Sequence, residues 1–246
     1  MPPFALNHSI KFQLKTYKHI FFDLDHTLWD LERNAAETIG ELLVSYNLDE
    51  KLKASTPGFI EEYNKINDSL WEEYRLGKID RKTLRFERFR RVFQLFGLED
   101  EQLAHDFGNA FVRDSPLKPH LIHGAKEVLE ALSLSHTLHI ITNGFAEAQV
   151  VKLKASGIGH YFTHVVNSEM AGFNKPDPRI FEYSLDLAKA RKEDSIMIGD
   201  HLEADILGAK RAGIDQIYYN PSSKVHSEIV TYEVRQLQDL IPIFKN

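Results

Sequence analysis

With 246 residues, 43% of them hydrophobic and 27% charged, the chain is long enough to bury a substantial core and has the make-up of an ordinary globular protein. A net charge of −6 argues against a general binder of nucleic acid polymers or anionic membranes, and no apolar run reaches transmembrane length. Cysteine is absent, which excludes disulfides, thiolate chemistry and cysteine-ligated metals and fits a cytoplasmic protein.

Residues 1–17 lack the apolar core of a signal peptide and read as an extended arm. His19-Ile20-Phe21-Phe22 then reads as a β-strand that ends in Asp23-Leu24-Asp25-His26-Thr27. Side chains two apart on a strand point the same way, so Asp23 and Asp25 can address one site. Crowded carboxylates stay ionised only beside a cation, or one of them keeps a proton; a hard divalent ion such as Mg²⁺ suits oxygen ligands. Taken alone, the pair fits a merely polar strand end equally well.

From residue 31 to 115 apolar positions recur at helical spacing, in Ala35-Ile39-Leu42-Leu43, Phe59-Tyr63-Ile66-Leu70 and Leu84-Phe86-Phe89-Phe93-Phe96, with Gly58, Gly77 and Gly97 as turn signals. A helical domain inserted after the first strand is expected. Within it the basic stretch Arg81 to Arg91 interleaves arginines with phenylalanines. On a helix the phenylalanines fall on the buried stripe and the arginines on the solvated face, with attraction of an anionic substrate as the lesser alternative.

From Pro116 onward helices at about 125–132, 146–155, 179–190 and 204–212 alternate with strands at about 138–141, 163–166, 196–198 and 216–219. The tail from Glu228 reads as one more strand and a closing amphipathic helix. Such alternation implies right-handed crossovers and a parallel sheet covered on both faces. The expected fold is therefore a doubly wound, Rossmann-like α/β core, residues 1–30 and 116–246, carrying a helical cap domain, residues 31–115.

Open parallel sheets bind ligands at the carboxyl ends of their strands. There the sequence sets Thr142-Asn143-Gly144 ahead of a helix whose free N–H groups favour an anion. Lys175 follows in Asn174-Lys175-Pro176-Asp177-Pro178, with Asp177 placed to cap the next helix, and Gly199-Asp200 precedes Asp205.

This order, D-x-D-x-T, a strand-terminal Thr, a Lys and G-D-x-x-x-x-D, resembles the haloacid dehalogenase superfamily, and the helical insert stands where that family carries a cap. The resemblance implies that Asp23 is a nucleophile forming an aspartyl-phosphate and that Asp25 is first general acid, then base. Thr142 and Lys175 would hold the phosphoryl group, helped by the N–H groups of Asn143 and Gly144. Mg²⁺ would sit on Asp23, the Asp25 backbone carbonyl and Asp200, with Asp205 behind them or joined through water. The metal-free dehalogenase branch lacks the second aspartate, so Asp25 favours phosphotransfer. Receiver domains use similar residues but place the acceptor on a middle strand and carry no large insert.

His26 and His201 flank the site and are expected to tune it or touch substrate, since Asp25 fills the acid–base role. The pairs His120/His123, His136/His139 and His160/His164 lack carboxylates at ligand spacing and are expected at the surface. The stretch Asn67 to Ile79, together with Thr142-Asn143-Gly144-Phe145, resembles the pyrimidine nucleotidase branch. That implies a nucleoside 5′-monophosphate as substrate, with Trp71, Tyr74 and Phe145 stacking on the base, unless Trp71 and Tyr74 are cap core. A phosphatase of phosphoglycolate or a sugar phosphate is the alternative, ahead of a phosphomutase or a non-catalytic sensor of phosphorylated ligands. Hinges for a moving cap are expected near Asp30 to Arg33 and Ser115 to Pro119.

Overall fold

The computed structural model describes residues 15–48, 51–52 and 55–245. Most of the expected N-terminal arm lies outside the described residues; at its described end Lys15 Nζ and Tyr17 Oη both donate to Asp215, at 2.5 and 2.8 Å.

Strand β1 (His19–Phe22) is followed by α1 (Leu31–Ser45), α2 (Thr56–Arg75), α3 (Arg81–Leu95) and α4 (Glu101–Asp114). Each of these helices starts at an oxygen cap: Asp30, Ser55, Asp80 and Asp100 accept from the N–H three residues on. Gly77 and Gly97 close α2 and α3 with φ of 68° and 76°. Gly58, expected as a turn, lies instead in the first turn of α2, because Ser55 and Pro57 start the helix before it. The inward faces of the four helices form an apolar cluster of their own around Ile39, Phe59, Tyr63, Phe89, Phe93 and Phe107.

The chain then runs through α5 (Ala125–Ser133), β2 (Thr137–Thr142), α6 (Ala146–Ala155), β3 (Phe162–Asn167), α7 (Ser168–Ala171), α8 (Pro178–Ala188) and β4 (Ser195–Gly199). A π-helical turn, Leu202–Leu207, leads into α9 (Gly208–Arg211), and β5 (Asp215–Tyr219), β6 (Tyr232–Val234) and α10 (Leu240–Phe244) complete the fold. The helix expected from Ala204 thus begins two residues earlier, where the His201 ring accepts the Ala204 N–H and caps it, and it is wider there, the Ile206 N–H reaching back five residues to His201 O. All six strands are parallel, in the order β3-β2-β1-β4-β5-β6. One face of the sheet packs on Val128, Leu129 and Leu240, the other on Ile180, Phe181 and Ala209, so it is doubly wound. No helix of the described residues is long and apolar enough to cross a membrane.

His139 departs from its expected surface position: it is 1% exposed. On β2 it shares a face with Ile141, which packs under α8. Its ring stacks on Phe21 and His164 and comes within 3.1 Å of His19. Burial, with His19 and His164 alongside, pushes its pKa down to about 3. The unfolded chain, with an ordinary histidine near 6.5, therefore takes up the proton first. Stability from neutral His139 is complete above that value and is lost as pH falls toward 3, at up to about 1.4 kcal/mol per pH unit. We expect the Tm of a His139→Phe variant to fall less between pH 7 and 5 than that of the native chain, measured by circular dichroism.

Candidate active site

The carboxyl ends of the strands open on a cleft of about 610 Å³, within the range of small-molecule sites. Strand order reverses between β1 and β4, the switch point at which doubly wound sheets bind ligands. Asp23 follows β1 and Asp200 follows β4, so the two acids flank that gap. The Asp23 N–H donates to the Ile198 carbonyl at 2.9 Å, which carries the ladder one residue past β1. The chain then reverses tightly: Leu28 and Trp29 N–H both donate to Leu24 O, and His26 takes a φ of 66°. This turn delivers the fully buried Thr27 hydroxyl to Asp200 Oδ1 at 3.0 Å.

Lys175 stands at the centre, 2% exposed. Its Nζ donates to Asp23 Oδ1 at 2.5 Å, to Asp205 Oδ1 at 2.6 Å and to Ile141 O at 2.8 Å, which engages all three protons. Asn143 holds the lysine's backbone from both sides, accepting its N–H at 2.7 Å and donating to its carbonyl at 3.0 Å. Asp177 caps α8 and Pro178 opens it, as their spacing predicts.

Burial raises the Asp23 carboxyl well above the usual carboxylate range, against the pull of Lys175 and with help from Asp205, Asp200 and Asp25. Burial and Asp205 likewise push Asp200 up to about 7. Burial opposes the Lys175 charge as well, but Asp205 and Asp23 outweigh it and keep the ammonium protonated. Oxygens of Asp23, Asp200 and Asp205 lie within 4.8 Å of one another. Three acids facing one ammonium leave surplus negative charge, and an all-oxygen donor set of this kind fits a hard divalent cation.

The Asp25 carboxylate turns the other way, accepting from Lys152 Nζ at 2.5 Å and from Gln149 Nε2 at 2.9 Å. Burial works against its charge, but Lys152 and the Gln149 hydrogen bond prevail and hold it below the ordinary range. Gln149 also donates to Thr142 Oγ1 at 3.2 Å, and the Gly144 N–H donates to the same oxygen at 3.0 Å. That N–H, expected to face a phosphate, is therefore engaged by Thr142 here. Thr27 is the threonine of D-x-D-x-T, whereas no motif marks Gln149 or Lys152. For the last two a signal does exist: the inward residues of α6 are Gln149, Lys152 and Leu153, so polar side chains occupy what should be an apolar stripe.

His26 and His201 both line the cleft. His201 does structural service there, its backbone N–H donating to Asp205 Oδ2 and its ring capping the π-helical turn; burial lowers its pKa. Trp71, Tyr74 and Phe145 come together, with Phe145 stacked on Trp71 at 5.6 Å and edge-on to Tyr74 at 5.7 Å. Phe145 is buried, and the half-buried Trp71 lines the cleft.

The basic stretch departs from its expected solvated face. Arg88 is buried, while Arg81 and Arg85 lie over the Phe145 ring at 4.2 and 5.1 Å. Arg81 pairs with Glu147 and Glu169, and Arg85 with Glu147. The reason is that α3 is covered on two sides, by α2 and α4 and by the start of α6, so its solvated face is narrower than that of an isolated amphipathic helix.

The parallel doubly wound sheet, with acids and the buried Lys175 at its switch point, is that of a hydrolase. The chain belongs to the haloacid dehalogenase-like hydrolases, whose family model matches residues 17–213. It is similar to pyrimidine 5′-nucleotidase PynA of Streptococcus pneumoniae, 36% identical over 231 residues, covering 92% of this chain and 94% of that one. Pyrimidine 5′-nucleotidase YjjG of Escherichia coli is 30% identical over 224 residues, covering 90% and 95%. A crystal structure of the HAD-hydrolase YfnB from Bacillus subtilis, bound to magnesium, matches with a TM-score of 0.84 at 30% identity, covering 94% of this chain and 99% of that one.

Gly199 matters to the geometry because a Cβ there would collide with the Asp205 carboxylate. Gly199→Ala must displace Asp205 from Lys175 and from the His201 N–H. We expect a loss of about 1–3 kcal/mol in urea unfolding, the usual cost of overpacking a filled site.

Proposed function

We propose that the chain is a Mg²⁺-dependent phosphomonoester hydrolase that works through an aspartyl-phosphate on Asp23, with pyrimidine nucleoside 5′-monophosphates as substrates. The observation that carries this reading is the convergence of Asp23, Lys175, Asp200 and Asp205 at the switch point, with Thr142 beside them. The nucleotide assignment draws on the likeness to PynA and YjjG over nearly the whole chain.

In this mechanism Asp23 attacks phosphorus in line, and the ester oxygen leaves from the opposite side. The Thr142 hydroxyl orients the phosphoryl oxygens, and the positive charge of Lys175, whose protons lie on Asp23, Asp205 and the Ile141 carbonyl, offsets the charge that develops on them. Asn143 fixes the Lys175 backbone and so the reach of the ammonium. Asp23, Asp200 and the Asp25 carbonyl would hold Mg²⁺, with Asp205 behind them; bound there it supplies charge neutralisation at the phosphoryl oxygens. Asp25, held ionised in the free protein, passes a proton from the Lys152 ammonium to the leaving oxygen, and later takes one from the attacking water and returns it to Lys152. Its contact with Lys152 keeps a proton within reach of Oδ1 between those steps.

The helices α1–α4 act as a cap in this reading, hinged near Asp30 to Arg33 and Ser115 to Pro119, and close over the cleft to exclude water. Contacts between Phe145 and the α2 and α3 side chains support it, because they join the strand ends to the cap.

Phosphate release should be measured over a panel of nucleoside 5′-monophosphates, sugar phosphates and phosphoglycolate. Release concentrated on pyrimidine nucleotides, lost on chelation and at least about 10³-fold weaker in Asp23→Asn, is the expected result. Turnover by Asp23→Asn close to the native rate would remove Asp23 as nucleophile. Preference for a sugar phosphate would keep the chemistry and discard the nucleotide.

A further inference from the structure

Beside the main cleft lies a smaller cavity of about 80 Å³ between the helices α2 to α4 and the start of α6. The two share Asp25, Asn67 and Trp71 as walls. The inner walls are largely rings, those of Tyr63, Phe111 and Phe145. Arg88 lines this cavity and not the main cleft, and it is 6% exposed.

Its hydrogen bonding is incomplete. Arg90 and Arg91 on the same helix pair with Glu87, whereas Arg88 forms no ion pair among the described residues. Its Nε has no partner, and Nη1 reaches only Tyr63 Oη and Asn67 Oδ1, both at 3.5 Å, the outer edge of hydrogen bonding. A guanidinium carries five donors in a flat fork and does not give up its charge by losing a proton. Burying such a group without acceptors is costly, and native proteins seldom leave one so. Stacking does not account for it, since the Phe111 ring lies 5.4 Å away and uses none of the donors. The cavity is the place from which an acceptor can come.

We propose that Arg88 reads the leaving group: its guanidinium donates to the 4-carbonyl oxygen of a pyrimidine-2,4-dione seated in this cavity, with the Asn67 amide beside it. The proposal rests on the nucleotidase reading and deepens it. With the phosphoryl group at Asp23, the sugar passes Asp25 and enters with the ring nitrogen that bears it. The position across the ring, C4, then goes deepest, which is where Arg88 stands. A group that only donates matches oxygen at C4 and opposes an amine there, so the dione is preferred over its 4-amino analogue.

The test is steady-state kinetics on the full chain with uridine 5′-monophosphate, cytidine 5′-monophosphate and acetyl phosphate, whose leaving group is too small to reach the cavity. The native protein should favour uridine over cytidine by about tenfold or more in kcat/KM. Arg88→Gln, whose amide both donates and accepts, should bring that ratio toward one. It should also lower the uridine-to-acetyl phosphate ratio about 10- to 100-fold, mainly through KM. Equal native rates on the two nucleotides, or an unaltered ratio in Arg88→Gln, overturns the assignment while leaving the nucleotidase reading intact. A fall of all three substrates in step overturns it too, as a structural role for Arg88. Cleavage of acetyl phosphate with neither nucleotide touched overturns the nucleotidase reading and the proposal together. The native uridine-to-cytidine comparison needs no variant, so it decides even if Arg88→Gln fails to fold.

Discussion

Everything at the strand ends is arranged around one buried ammonium. Lys175 is held between Asp23 and Asp205, with its third proton on the Ile141 carbonyl, and a charge so placed is tolerable only with its partners present. This requirement explains the positions of the residues around it. Asn143 clamps the lysine's backbone, Gly199 leaves room for Asp205, and the His201 N–H fixes the far oxygen of that acid. The cluster still carries more carboxylate than ammonium, which is why a divalent cation belongs in the proposed chemistry.

A second pair, Asp25 with Lys152, stands apart from the first and faces the helical insert. Separating the two acids of D-x-D in this way gives them different environments from one strand end. Asp23 is pushed toward its neutral form by burial and neighbouring acids, whereas Asp25 is held charged by its own lysine. The proposed roles need the first tendency reversed, which a divalent cation bound at Asp23 would do by favouring its ionised form. The insert meets the core at the same place, through Phe145 against Trp71, Arg81 and Arg85.

Short apolar strand runs with polar residues just beyond them, and helical spacing between them, made the doubly wound fold and the cleft-lining positions of Asp23, Thr142, Lys175 and Asp200 legible from sequence. Side chains that act from the middle of helices were not. Lys152 and Gln149 look like solvated residues of α6 until the helix is docked, and Arg88 looks like one more arginine of a basic run. In each case the clue was a polar residue at an apolar position: Arg88 falls four residues after Leu84 and four before Val92, both fully buried. His139 was misplaced for the converse reason, since one histidine on a buried strand face carries no pattern that separates it from a surface one.

The central claim, that the Asp23, Asp200 and Asp205 cluster is built to be completed by a divalent cation, is tested most directly by calorimetric titration of the intact protein with Mg²⁺. One site per chain, accompanied by a rise in Tm and abolished in Asp200→Asn, is the predicted result. Absence of binding, or binding that survives in Asp200→Asn with the same affinity, would contradict it.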